Sequence, residues 1–184
     1  MQNKQKPNRT RFKKTFTYNK RKIKEIIKKE KVKKKGLSAN DINSILSNTP
    51  NFLGCFAQDE LPCLSASLPV FMIVNFDNSF SSGSQWIALR IDKRRLEIFD
   101  PLGFNSLRWP STPHLLLDFL HKYSLNRRIF TTKEIQPYSS TLCGFYCVFF
   151  ILYRSVQPFS ACTKYFSKNL QINDKLLLNF FNKL

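Results

Sequence analysis

The residues with chemistry to offer sit where a polar loop meets a long apolar run: Gln136-Pro137-Tyr138-Ser139-Ser140, then Thr141-Leu142-Cys143-Gly144-Phe145-Tyr146-Cys147. Turn and cap residues fill the first part, and residues 145–153 are almost wholly apolar, the pattern of a loop entering a buried helix. If that helix starts near Leu142, Cys143 occupies its first turn. There the free backbone N–H groups and the positive end of the macrodipole lower a thiol's pKa and favour thiolate, the nucleophilic form. Gln136, seven residues upstream, is placed to aim its side-chain amide beside the backbone N–H of Cys143, and two such donors make an oxyanion hole. Taken alone, the same pattern describes a cysteine that only fills the core.

The rest of the chain must supply elements to hold these groups. Trp86 to Ile91 and Leu96 to Phe99 read as strands joined by Asp92-Lys93-Arg94, a short hairpin signal. Antiparallel pairing sets Gln85, just before the first strand, beside Asp100, just after the second. Residues 69–76 read as a buried strand and residues 129–132 as another. Ser38 with Asp41 three residues on is an N-cap signature, and Ile42, Ile45 and Leu46 give the helix that follows one apolar stripe. Further helices are expected over residues 114–123, 145–153 and 173–184, the last with Leu176, Leu177, Phe180 and Phe181 facing inward. Residues 52–56 are apolar and compact, with no element assigned. The sum is an α+β domain, a small mixed or antiparallel sheet packed on a central helix.

Three stretches together resemble a known family. Gly83-Ser84-Gln85-Trp86-Ile87-Ala88-Leu89, then Leu96-Glu97-Ile98-Phe99-Asp100-Pro101-Leu102-Gly103-Phe104, then Gln136 to Cys147 are similar, in order and spacing, to the catalytic blocks of the adenain-like cysteine endopeptidases of adenoviruses, whose relatives occur in Polinton-type transposons and virophages. The resemblance covers residues 37–184. It implies the papain-like/SUMO-protease-like cysteine peptidase fold and four catalytic positions: Cys143 as nucleophile, Asp100 as the acid orienting an imidazole, Gln136 as oxyanion donor, and Gln85 where the family carries histidine. A glutamine has no group that titrates near neutral pH and cannot take a thiol's proton. The resemblance therefore implies an impaired or inactive peptidase. It also implies capsid or core precursor proteins as partners and no cofactor. Ile129 stands where the adenoviral enzyme carries the cysteine that bonds its activating peptide, so that tether is not expected. His114 and His121 fall on the helix between the second and third blocks, which in that fold packs away from the thiol.

The chain of 184 residues, 42% of them hydrophobic, is long enough for one core plus a tail. Residues 1–35 are expected to be a largely disordered basic tail and residues 36–184 the folded domain. The first 35 residues hold 16 Lys and Arg against only Glu25 and Glu30, and so supply most of the +18 formal charge. Lys13, Lys14, Lys20, Arg21, Lys22, Lys33, Lys34 and Lys35 are the candidate nucleic-acid contacts, with Phe12, Phe16 and Tyr18 among the charges. A basic amphipathic helix over residues 21–35, lying on an anionic membrane, is the competing account. No apolar run reaches membrane-spanning length, and the basic N-terminus lacks a signal-peptide pattern. Five irregularly spaced cysteines and two histidines suggest neither a disulfide framework nor a metal site. A monomer in a virion, host nucleus or cytoplasm is expected, with a lapsed protease kept as a DNA-binding or capsid-associated structural protein as the other function class.

Overall fold

A computed structural model describes residues 24–25, 36–64, 68–81, 83–104, 112–124, 128–131 and 133–183. The reading of the first 35 residues as a tail, and the eight basic residues assigned to nucleic acid, lie outside the described residues apart from the unassigned positions 24 and 25.

Helix α1 (Ala39–Leu46) starts on the expected cap: Ser38 Oγ accepts from the Asp41 amide while the Asp41 carboxylate accepts from the Ser38 amide, and Ile42, Ile45 and Leu46 are buried. Next come β1 (Phe52–Phe56), a 3₁₀ turn (Gln58–Glu60), β2 (Val70–Asn75), β3 (Trp86–Ile91) and β4 (Leu96–Phe99). After helix α2 (His114–Tyr123) and strand β5 (Arg128–Phe130) come α3 (Cys143–Arg154), α4 (Phe159–Lys164) and, past a second 3₁₀ turn, α5 (Asn173–Lys183). The five-stranded sheet runs in chain order from β1 to β5, antiparallel from β2 through β4 and parallel at both edges. The fold is α+β with a mixed sheet, as expected.

Three local readings are corrected. Residues 52–56 form a strand, with Gly54 at φ 145° beside a register shift against β2. The central helix begins at Cys143 with Leu142 as its N-cap, as its expected start near Leu142 required, whereas α4 had no counterpart in the sequence reading. On α5, Leu177 and Phe181 are fully buried whereas Leu176 and Phe180 are only partly so.

Strand alternation divides the interior between the two faces of the sheet. Phe71, Ile73, Ala88 and Phe99 face a core shared with α1, α3 and α5, while Met72, Val74, Ile87, Leu89 and Ile98 face a second core closed by α2. Burial on both faces is why the middle strands read as continuous apolar runs. Helix α3 is the centre of the first core: every residue from Cys143 to Leu152 is buried. Its far end is fixed by Arg154, whose guanidinium grips the fully buried Glu97 of β4 at 2.7 and 2.9 Å. The central helix is thereby pinned to the hairpin at one end and set against Gln85 and Asp100 at the other.

Candidate active site

The β3–β4 hairpin brings Gln85 and Asp100 together as expected. Gln85 Nε2 donates to Asp100 Oδ1 at 3.2 Å and, more weakly, to the Trp86 carbonyl at 3.4 Å. Asp100 is fully buried and held by its surroundings: Oδ1 also accepts from the Leu102 amide at 3.0 Å, and Thr131 bonds both its main-chain N–H and its carbonyl. Thr131, just past β5, had not been singled out in the sequence, because nothing local ties it to a residue 31 positions earlier.

Cys143 opens α3 with no side-chain cap and no acid in its first turn, and the nearby main chain at Trp86 and Gly144 favours its thiolate. Burial opposes this and wins, the negative charge of Asp100 adds to it, and the thiol pKa lies above its ordinary value. The depressed pKa expected from helix position alone is thus overturned: a dipole's worth at a helix end is typically ~0.3–1 kcal/mol, less than the cost of a desolvated anion.

Trp86 is fixed across the same spot, its indole N–H donating to the Leu37 carbonyl at 3.2 Å. Leu37 is buried against α3, and a Cβ on Gly144 would lie 3.0 Å from the Leu37 Cβ. Neither Leu37 nor its bond to Trp86 was legible in the sequence.

Gln136 reaches the same cleft by a different arrangement from the one expected. Its main-chain N–H and that of Ile135 both donate to the Pro101 carbonyl at 2.9 Å, tying the loop before α3 to the loop after β4. Its side-chain Nε2 donates to the Ser140 carbonyl at 2.8 Å, and its Oε1 is buried without a hydrogen-bond partner. One amide proton is therefore committed to Ser140. Gln85, Trp86, Gln136 and Cys143 line one cleft of about 820 Å³. Asp100 lies behind Gln85 rather than on the cleft wall.

Comparison with known proteins bears on this arrangement. The adenovirus endoprotease family matches residues 52–176, more than half of the chain. The chain belongs to the adenovirus endoprotease family. Curated proteins yield no match. The family match opens at the first residue of β1 and closes inside α5, so Gln85, Asp100, Gln136 and Cys143 all fall within it. It leaves out residues 36–46, where Leu37 supports Trp86 and α1 packs on β1. A cysteine protease domain of this family accounts for a thiol at a helix start inside a cleft.

The two histidines stand apart from that cleft. His114 and His121 are exposed at the ends of α2, which packs on the opposite face of the sheet from α3. Among the described residues no helix is long and apolar enough to cross a membrane.

Proposed function

We propose that this chain is an adenain-like cysteine endopeptidase of viral or transposon capsid-protein maturation whose proton-transfer step is impaired because Gln85 stands where an active relative carries histidine. One observation carries the reading: the Gln85 amide donates to Asp100 at 3.2 Å, the bond an imidazole N–H would make to an orienting acid. The amide satisfies the acid. It offers no basic nitrogen to the thiol.

In the intact reaction a base takes the Cys143 proton, the sulfur adds to the scissile carbonyl, and the oxyanion is held by the Cys143 backbone N–H and the second Gln136 N–H. The amine then leaves with a proton, and water hydrolyses the thioester. The thiol, acid and oxyanion donor remain in this chain, and only the base is wanting. A positioned base is worth typically ~10²–10⁴-fold, so the natural sequence turns over a peptide that slowly or not at all.

The test is Gln85→His on a fluorogenic peptide or a capsid-precursor fragment. The variant gains thiol-dependent cleavage that Cys143→Ala abolishes, and the natural sequence shows little. Robust cleavage by the natural chain would sink the impairment, and a silent histidine variant would show that the site has drifted beyond one substitution.

A second reading is favoured by the 16 basic residues among the first 35. On it the protein is a lapsed protease kept in a virion, host nucleus or cytoplasm as a DNA-binding or capsid-associated structural protein, with Lys13, Lys14, Lys20, Arg21, Lys22, Lys33, Lys34 and Lys35 contacting phosphates. The two readings are separated by the histidine variant, since a purely structural protein gains nothing from it.

A further inference from the structure

The loop that carries Gln136 is held at both ends by the start of the last helix. Asn173 Nδ2 donates to the Ile135 carbonyl at 2.8 Å, next to Gln136. Asp174 Oδ1 accepts from the Ser140 hydroxyl at 3.0 Å and from the Tyr146 hydroxyl at 2.9 Å. Burial and the adjacent Asp174 charge raise the Tyr146 pKa, so the phenol remains a donor. Ser140 is the junction: its hydroxyl oxygen also accepts from the Leu142 amide at 3.2 Å, at the entry to α3, and its carbonyl is what the Gln136 amide bonds. The orientation of Gln136 follows from this junction, because reversing the amide would set Oε1 against the Ser140 oxygen.

We propose that Asp174 is a positioning residue for the oxyanion site, acting through Ser140 to fix the Gln136 amide and the approach of the chain to Cys143. The proposal rests on the peptidase reading for its consequence, though not for its geometry. A carboxylate accepting two hydroxyl protons at one oxygen makes charge-assisted bonds, stronger than neutral ones. It fixes Ser140 Oγ, and with it the carbonyl that holds Gln136. Tyr146 belongs to α3, so the same carboxylate ties the loop to the helix that presents the nucleophile. An acid exposed on the first turn of a helix would do no more than favour the dipole. Here its oxygen is turned to the loop instead.

The experiment has two readouts. In the natural full-length protein, hydrogen exchange of the Gln136 side-chain amide is followed by NMR in Asp174→Ala and Asp174→Asn, with thermal unfolding measured alongside. Losing a charge-assisted bond loosens what it held by about tenfold, so Asp174→Ala speeds exchange of that amide by this order. Asp174→Asn keeps an acceptor oxygen and recovers most of the protection. In the Gln85→His background the alanine variant lowers kcat with little change in KM, and adding Ser140→Ala costs less than it does alone because the two act as one unit. Unchanged Gln136 exchange in a folded Asp174→Ala protein overturns the proposal. Equal loss in the asparagine and alanine variants would also overturn it, since it would show that acceptor chemistry is not what matters. Altered exchange with no cleavage in any histidine-bearing variant would uphold the positioning and count against the peptidase reading alone.

Discussion

Gln85 and Cys143 divide the chemistry between them, and each can be probed separately. The amide of Gln85 donates to the buried Asp100 carboxylate and, being an amide, offers no basic nitrogen to a thiol. Opposite it, burial holds the Cys143 thiol neutral, and the Asp100 charge works in the same direction. Iodoacetamide should therefore modify Cys143 slowly at neutral pH, the rate rising through and beyond ~8.5, the ordinary free-thiol value. Peptide-level mass spectrometry separates this signal from that of Cys63, which is exposed. A fast rate that stays flat between about pH 5 and 7 would mean a strongly lowered thiol pKa and hence an ion pair. Gln85→His should move the profile towards that shape.

Helix α3 is positioned by two contacts of opposite character, close packing at its start and an ion cluster at its end. At the start, a methyl group on Gly144 would meet Leu37 Cβ at 3.0 Å and Ile42 and Trp86 at 3.4 Å. Leu37 cannot easily give way, because its carbonyl holds the Trp86 indole. Gly144→Ala gains ~1 kcal/mol of helix propensity but overpacks a full interior at ~1–3 kcal/mol. A net loss of about 1 kcal/mol in urea unfolding is expected, together with altered Cys143 alkylation as Trp86 shifts. At the other end Glu97 is fully buried and takes Arg154 at two oxygens, Arg95 at 3.0 Å and Arg90 at 3.4 Å. Breaking a buried pair typically costs ~3–5 kcal/mol. Because Arg90 and Arg95 remain, Arg154→Met should cost about 2–3 kcal/mol in the same measurement. A cost below ~0.5 kcal/mol, the size of a change at an ordinary surface site, would show the cluster to be ornamental.

For the molecule as a whole, four thiols with raised pKa values contribute to the loss of stability at alkaline pH. Burial pushes Cys55 and Cys162 up to about 12, raises Cys143, and raises Cys147 well above its ordinary value. The sign follows from proton binding. Above the ordinary thiol pKa the unfolded chain has lost these protons while the folded chain keeps them, so the unfolded state binds fewer and stability falls with rising pH. The contribution is fully present below ~8.5 and declines above it by up to ~1.4 kcal/mol per pH unit for each thiol. Thermal unfolding between pH 7 and 10 under reducing conditions should show this decline, and Cys162→Ala should flatten it by one thiol's share. A midpoint unchanged to pH 10 would contradict the buried placement of these groups. The lopsided charge calls for a different measurement. If the first 35 residues bind nucleic acid, retention on a DNA column falls steeply with salt and disappears on truncation before Gly36. Retention that survives truncation assigns the binding to the folded domain, and binding to anionic vesicles but not to DNA assigns the tail to a membrane surface.

What the sequence determined by itself was what short separations can decide. The hairpin turn Asp92-Lys93-Arg94 and two apolar strands are enough to set Gln85 against Asp100, and the step from Gln136 to Cys143 carries the family resemblance together with the thiol at a helix start. Strand β1 was missed because Gly54 interrupts its pattern and its ladder partner β2 is a parallel strand that starts 14 residues beyond its end, so nothing within five residues marks it as extended. Only the tertiary structure could bring Leu37 to Trp86, Thr131 to Asp100 and Asp174 to Ser140, pairs separated by 31 to 49 residues. The same limit governed the thiol. Its place at the positive end of α3 is a local property and was legible, but the direction of its pKa is set by how much water the surrounding elements exclude. Desolvation is a sum over neighbours from the whole chain, and no single stretch of sequence contains it.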